Sequence, residues 1–487
     1  MHNFFYYSIQ LFFLIYGLSI LAIYILIIVL SRKAIIRNKK EATFLDINLV
    51  KGAKDLPSIT LVAPAYNEGK TIVTNVRSLL SIQYPAYELI IANDGSTDDS
   101  LKQLITVFNL EPVTFYEGAK EIECAPIKAI YKSKNPKYAT LTVVDKENGG
   151  RSDAINAAIA YAKSNLVLCT DADCIIEQDA LLKMVRPYLE ALDEEVIASG
   201  GAIGIANDSV IVNGTIKEIR MPKKLVSRIQ IVEYIRAFLL GRMAWGEIGG
   251  LMLVSGAFGL YPKQRLLEVG GFDKDTIGED LELCIRLRRH MEDLKLKYKV
   301  VYIPETLCWT ESPSTFKIYI SQRDRWARGL WETIFKHRTL FFNKKYNNMG
   351  MFFYPYWVFF ELGAPIVEFL GMLFIMYLIF FMGINWPFTI ALFVTVYLAG
   401  CIFSTIAILM YSLNYGHYSK PKMIFQLLLA AYIESFYNHP VLLYAQIKGF
   451  LKKVFNIDTG WGVMTRTGFN EEQEKIEIDV KEPGLNS

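Results

Sequence analysis

The chain has 487 residues, 52% of them apolar and 21% charged. That composition excludes a disordered, collagenous or small disulfide-stapled protein. Its 52 basic and 49 acidic residues leave a net charge of only +3, so overall charge makes no case for nucleic acid as a partner.

Residues 8–30 (SIQLFFLIYGLSILAIYILIIVL) form an apolar run about as long as the ~20 residues a bilayer crossing needs. The start is uncharged, and the basic cluster Arg32, Lys33, Arg37, Lys39 and Lys40 follows the run, which distinguishes it from a cleaved signal peptide. The expected organisation is a transmembrane anchor over 1–34 and a basic linker over 35–56. By the positive-inside rule, the chain from residue 31 onward lies on the cytosolic side.

Residues 57–345 have the composition of a soluble α/β domain. The short runs SITLVAPAY, YELIIANDGS, ATLTVVDK and LVLCTDADC each end in polar or Gly-containing residues. They read as buried parallel strands that deliver their loops to one sheet edge, where ligands of such sheets bind.

Apolar sequence dominates again over 346–450. The run 352–383 is too long for one straight span and too short for two, which suggests an interfacial helix near 352–362 and a crossing near 364–384. Residues 387–413 make a further crossing. The stretch 422–447 is interrupted by Glu434, Asn438, His439 and Pro440, and reads as interfacial or re-entrant. Glu361, Glu368, Glu434, Asn438 and His439 are costly in lipid and should face protein or a channel. The segment 451–487 is expected on the cytosolic side, with an acidic, disordered tail from 470. No internal repeat is visible.

Six segments carry candidate chemistry. Ala65, Tyr66 and Glu68 belong to PAYNE at the end of the first strand, where a turn can expose backbone to a ligand; an ordinary strand-to-helix turn uses the same residues. Asp94 in NDGS sits at a strand end and could accept the ring N–H of a pyrimidine. Arg151 follows Gly149–Gly150 at a helix start, where a cation and bare backbone can approach phosphates. The sequence has neither GxxxxGK[ST] nor a GxGxxG after a strand. Asp171 and Asp173, two apart in extended chain, would point the same way and could hold Mg²⁺ or Mn²⁺ against a diphosphate. Asp280 in GED is a helix cap or a general base. Gln322, Arg325 and Trp326 in QRDRW combine a planar cation with an amphipathic ring, suited to a diphosphate and a sugar or to a membrane surface.

The six cysteines (Cys124, Cys169, Cys174, Cys284, Cys308 and Cys401) form no CxxC pair, and the five histidines form no HExxH. Zinc chemistry is disfavoured, and reduced thiols are the simple reading.

Taken together and in order, PAYNE, NDGS, GGRSDA, TDAD, GED and QRDRW resemble the membrane-integrated branch of glycosyltransferase family 2, which includes cellulose, hyaluronan, chitin and poly-N-acetylglucosamine synthases. The resemblance covers about residues 57–335, and SGAFGLY at 255–261 looks like the family's acceptor-side loop. It implies a GT-A-like, Rossmann-like α/β domain between transmembrane helices. The implied reaction is inverting transfer from a UDP-sugar, UDP-N-acetylglucosamine first, to a growing β-linked polysaccharide; single-sugar addition to a lipid or short glycan is the alternative. It implies that Asp280 is the catalytic base, that Ala65, Tyr66, Glu68, Asp94, Arg151 and Asp171 bind the nucleotide, that Asp173 binds Mg²⁺ or Mn²⁺, and that Gln322, Arg325 and Trp326 meet the diphosphate and acceptor. Many relatives carry Lys where this chain has Arg151. The segment from Trp461 to Arg466 looks like a cytosolic element of related bacterial enzymes. An inner-membrane location is implied, with membrane lipids as surroundings. With so few crossings, a polymer path would need a partner subunit or a homo-oligomer.

Overall fold

The computed structural model describes residues 2–44, 56–114, 122–212 and 214–457. The expected Trp461–Arg466 element, the acidic tail and most of the linker after residue 44 lie outside these residues. The chain divides into two units. Among the described residues, one comprises those within 43–227 and 253–313; the other comprises 2–42, 228–252 and 314–457. Residues 228–252 and 314–345, which the sequence reading assigns to the soluble domain, therefore group with the apolar helices.

The first unit is built on a ten-stranded mixed sheet. Its strands are β1 (Ile59–Ala65), β2 (Tyr87–Asp94), β3 (Leu110–Val113), β4 (Ile127–Ser133), β5 (Leu141–Lys146), β6 (Leu166–Thr170), β7 (Ile175–Ile176), β8 (Glu195–Ile205), β11 (Phe258–Pro262) and β12 (Tyr298–Thr310). A separate hairpin joins β9 (Val210–Val212) to β10 (Thr215–Glu218). The strand order is β3-β4-β5-β2-β1-β6-β11-β8-β12-β7. The four runs singled out in the sequence are β2, β1, β5 and β6, and they pair in parallel as β5-β2-β1-β6. Their apolar residues are buried without alternation, because helices cover both faces of a parallel sheet. Register places Ala65 beside Asn93 and Asp94 beside Lys146, so the carboxyl ends of these strands share one edge. The chain turns to opposite sides of β1 on reaching β2 and β6, the switch point at which open α/β sheets bind ligands. Beyond β6 the sheet is mixed. Trp309 on β12 is fully buried with Ile175, Ala206 and Ile211, and its indole N–H donates to Glu177 over 2.7 Å.

Among the described residues, the second unit contains three helical stretches long and apolar enough to cross a membrane: Tyr7–Lys40, Met349–Met382 and Trp386–Tyr415. Aromatic pairs join them. The Phe13 and Phe374 rings stack at 5.9 Å and the Tyr24 and Phe403 rings at 4.5 Å. Lys33 and Arg37, from the basic cluster after the first apolar run, pair with Glu247 at 3.2 and 2.9 Å.

Residues 349–382 differ from expectation. An interfacial helix over 352–362 followed by a separate crossing is replaced by one continuous helical stretch. Pro355 and Pro365 each lack an N–H donor, and wide π-type turns over Met349–Phe353 and Trp357–Leu362 absorb the change without breaking the helix. Residues 421–454 form two shorter helices, Pro421–Tyr437 and His439–Val454, divided at Asn438.

The five costly polar residues all have protein partners. Tyr356 donates to Glu361, His439 meets Glu368 at 2.6 Å, Arg236 pairs with Glu434, and Asn438 donates to the Tyr319 oxygen over 2.9 Å.

Candidate active site

At the shared strand edge, the two first loops are tied together. Asn67 adopts a left-handed backbone conformation after β1, and its side-chain oxygen accepts from the Thr97 amide at 2.8 Å. Its own amide donates to Ser96 Oγ at 3.0 Å, and the Gly69 amide donates to Asp98 at 3.0 Å. PAYNE and NDGS are thus one structure. Within it Ala65 is buried, Tyr66 is half exposed and Glu68 accepts from Thr71 Oγ1.

Asp94 ends β2 and is buried. Its Oδ1 accepts from Lys146 Nζ at 2.6 Å and the Gly149 amide at 3.0 Å. Its Oδ2 accepts from the Gly150 amide at 2.8 Å and Asn148 Nδ2 at 3.2 Å. Lys146 is completely buried, and its ammonium also meets Asp153 at 2.6 Å and the Glu147 carbonyl at 2.6 Å. Burial pulls the Lys146 pKa down, but Asp153 and Asp94 outweigh it and hold the ammonium above the usual lysine value. Sequence reasoning missed Lys146 because a lysine closing a strand reads as a solvated end. Its position opposite Asp94 in the parallel register is the signal that identifies it.

The Asp94 carboxylate anchors the glycine loop that leads into the helix Arg151–Tyr161. Gly150 has φ of 88°, a conformation open to glycine and strained for other residues. Arg151 then makes four hydrogen bonds: Nε and Nη2 to Asp171 Oδ1 at 2.9 and 2.7 Å, Nη2 to the Gly256 carbonyl at 2.9 Å, and Nη1 to Glu279. Burial lowers the Arg151 pKa, yet Asp171 and Glu279 more than offset this and hold it above the ordinary arginine value.

Asp171 and Asp173 do not lie in extended chain, as the sequence reading has them. β6 ends at Thr170, and a turn closed by the Cys174 amide donating to the Asp171 carbonyl at 3.1 Å carries both carboxylates. The turn, not strand alternation, brings them together. A carboxylate oxygen of each and the Cys174 sulfur lie within 4.8 Å of one another. Two carboxylates at that spacing suit a hard divalent cation, so these residues fit Mg²⁺ or Mn²⁺.

Asp280 lies in the first turn of the helix Glu279–Leu294. Its oxygens accept from the Gly256 amide at 2.9 Å and the Leu281 amide at 2.8 Å. Gly256 belongs to SGAFGLY, so its one residue accepts from Arg151 and donates to Asp280. A continuous chain of hydrogen bonds thus runs from Asp94 through the Gly149–Arg151 loop and Gly256 to Asp280, with Asp171 bonded to Arg151.

Residues 127–329 match the family described as "Glycosyltransferase like family 2", and residues 60–120 match "Glycosyl transferase family 2". Both matched segments are thus similar to glycosyltransferase family 2 domains. Residues 276–475 also match the family described as "Chitin synthase". The chain is homologous to poly-beta-1,6-N-acetyl-D-glucosamine synthases. It is 29% identical to one from Staphylococcus epidermidis over 298 residues, covering 61% of this chain and 60% of the relative. It is 30% identical to one from Staphylococcus aureus strain COL over 302 residues, covering 61% and 59%. The match thus spans about 60% of the length of these relatives. Among solved structures, a mannosyltransferase from Pyrobaculum calidifontis in complex with GDP-Man and Mn²⁺ aligns with a TM-score of 0.49 and 14% identity, covering 90% of this chain and 99% of that one.

The remaining expected residues belong to the second unit. Gln322, Arg325 and Trp326 lie on the helix Phe316–Lys336, with Trp326 exposed. Their neighbour Arg323, which the sequence reading passed over, is buried. It pairs with Glu233 and lies over the rings of Trp326 and Tyr319 at 4.2 and 4.8 Å. Glu233 also accepts from the Tyr319 hydroxyl at 2.7 Å. Glu233 lies 90 residues before Arg323, so no local pattern reveals the pair.

Proposed function

We propose that the chain is an inverting membrane glycosyltransferase that moves a sugar from a UDP-sugar, UDP-N-acetylglucosamine first, to a growing β-linked polysaccharide. The observation that carries this reading is the hydrogen-bonded chain joining Asp94, Arg151, Asp171 and Asp280 in one unit at the switch edge of the sheet's parallel part. The synthase names of the curated relatives support the donor and the polymeric product.

In this reading the nucleoside lies against the joined Ala65–Glu68 and Asp94–Asp98 loops. Asp94 already holds four donors, so a pyrimidine N–H would replace the longest of them, that from Asn148. Asp171 and Asp173 would hold Mg²⁺ or Mn²⁺, which when bound supplies positive charge for the departing diphosphate. Asp280 takes the proton from the acceptor hydroxyl as that oxygen bonds to the anomeric carbon. The bond to UDP breaks with its electron pair going to the diphosphate, and a single displacement inverts an α-linked donor to a β-linked product. Gln322, Arg325 and Trp326 are assigned to the diphosphate and the acceptor end on their sequence pattern.

The two apolar helical stretches Met349–Met382 and Trp386–Tyr415 would carry the chain across the bilayer and back. Residues 421–454 would then return to the side from which Met349 starts, and the Arg32–Lys40 cluster favours the cytosol for that side.

Asp280→Asn tests the reading. General-base assistance typically supplies ~10²–10⁴-fold, so transfer should fall by about that factor with UDP binding retained. Incubation with labelled UDP-sugars identifies the donor, and product length reports the reaction class. Unchanged turnover in Asp280→Asn removes the base assignment, and a product with one added sugar removes the polymerase reading.

A further inference from the structure

We infer that Glu279 is a positioning residue for sugar transfer: with Arg151 it forms a clasp that sets the base Asp280 and the carboxylate Asp171 in fixed relation. This inference rests on the active-site reading proposed above and assigns a role to a residue outside that machinery.

The argument begins with where the Arg151 fork points. Its N–H groups reach three separate segments: the turn after β6 through Asp171, the segment before β11 through the Gly256 carbonyl, and the start of the helix Glu279–Leu294 through Glu279. A guanidinium is planar with donors in fixed directions, so satisfying one acceptor orients it toward the others. Glu279 is 6% exposed and Arg151 14%, so the pair is largely removed from water and its geometry is tightly held.

The clasp reaches Asp280 through one peptide unit on each side of Gly256. The Gly256 carbonyl accepts from Arg151, while its amide donates to Asp280 Oδ2 at 2.9 Å. Space is tight there: a Cβ on Gly256 would lie 3.1 Å from the Asp280 Cβ and 3.2 Å from its Oδ2. Any shift of Gly256 therefore moves against Asp280. Without the Glu279 charge, Asp171 is the carboxylate that Arg151 still bonds directly, with Asp280 acting on it through space. Arg151 would turn toward Asp171 and draw away from the Gly256 carbonyl, and the amide that holds Asp280 would shift with it. Neither step needs Glu279 to touch a substrate.

The test uses full-length protein in detergent. Glu279→Gln, Arg151→Lys and their double variant are compared with wild type for kcat, KM for the labelled UDP-sugar that wild type transfers, and UDP affinity by calorimetry. Displacing a reacting group by ~1 Å can cost about 100-fold, so Glu279→Gln is expected to lower kcat by about 10- to 100-fold with UDP affinity within about threefold of wild type. Arg151→Lys keeps the charge and loses the fork, and should give a similar kcat loss. Residues acting as one unit are non-additive, so the double variant should lose about as much as either single one. If Glu279→Gln is too unstable to assay, Arg151→Lys decides the question alone, and a wild-type kcat in it overturns the clasp. Full kcat in Glu279→Gln, a loss confined to KM, or multiplicative losses in the double variant also overturn it. Active wild type with any of these results overturns the clasp alone; wild type that transfers sugar from no UDP-sugar overturns the active-site reading and the clasp with it.

Discussion

The Lys146 ammonium lies 2.6 Å from the Asp94 carboxylate at the paired ends of two parallel strands, with the lysine fully buried. Since the same ammonium meets Asp153, one cation bridges two carboxylates and anchors the loop that presents Arg151. Lys146→Met would remove the buried cation between the two carboxylates, leaving Asp94 with its neutral donors and Asp153 with Lys274 at 3.7 Å, at a cost of about 3–5 kcal/mol. We expect a lower denaturant midpoint and UDP affinity reduced by at least ~10-fold, read by calorimetry. The sign of the pH effect follows from the raised pKa. The stabilisation is fully present below the unfolded lysine value of ~10.4 and is lost only as pH rises through the higher folded value. The stability difference between wild type and Lys146→Met should therefore be flat in its Lys146 contribution from about pH 6 to 9.

Gly256→Ala probes the contact with Asp280 sterically. The added methyl carbon would meet Asp280 at 3.1–3.2 Å, closer than ordinary packing. Turnover should fall about 10- to 100-fold with UDP binding retained. A variant with wild-type kcat would show that the segment yields freely.

Glu233→Gln weakens the support of Trp326. The Arg323 guanidinium lies 4.2 Å from the Trp326 ring, and Glu233 is its ionic partner. A desolvated cation–aromatic contact is worth about 2 kcal/mol, so acceptor KM should rise up to about 30-fold and polymer length should shorten at constant UDP affinity. Gel sizing of labelled product measures this.

Asp173→Asn should weaken Mn²⁺ binding, read directly by electron paramagnetic resonance of free Mn²⁺. Chelation of wild type should stop transfer, and added Mn²⁺ or Mg²⁺ should restore it. Equal Mn²⁺ affinity in Asp173→Asn and wild type would remove Asp173 from the ligand set.

Much of this was legible in the residues. Near-continuous Val, Ile and Leu runs ending in polar loops identify β1, β2, β5 and β6, because a strand covered on both faces has no polar side to show. The three long apolar stretches are visible for the same reason: a bilayer demands length and composition that little else does. The continuity of Met349–Met382 was not legible, because its length reads as too long for one straight span, and only the backbone shows one stretch that wide turns carry past Pro355 and Pro365.

Sequence by itself determined the strand runs, the apolar stretches and which acidic residues stand at strand ends, since these depend on local composition and order. Tertiary structure alone decided that a turn gathers Asp171 and Asp173, that Lys146 is buried between Asp94 and Asp153, and that Glu279 reaches Arg151 across 128 positions. Such pairings are set by strand register and by where buried charges must find partners, and neither quantity is written in the spacing of residues along the chain.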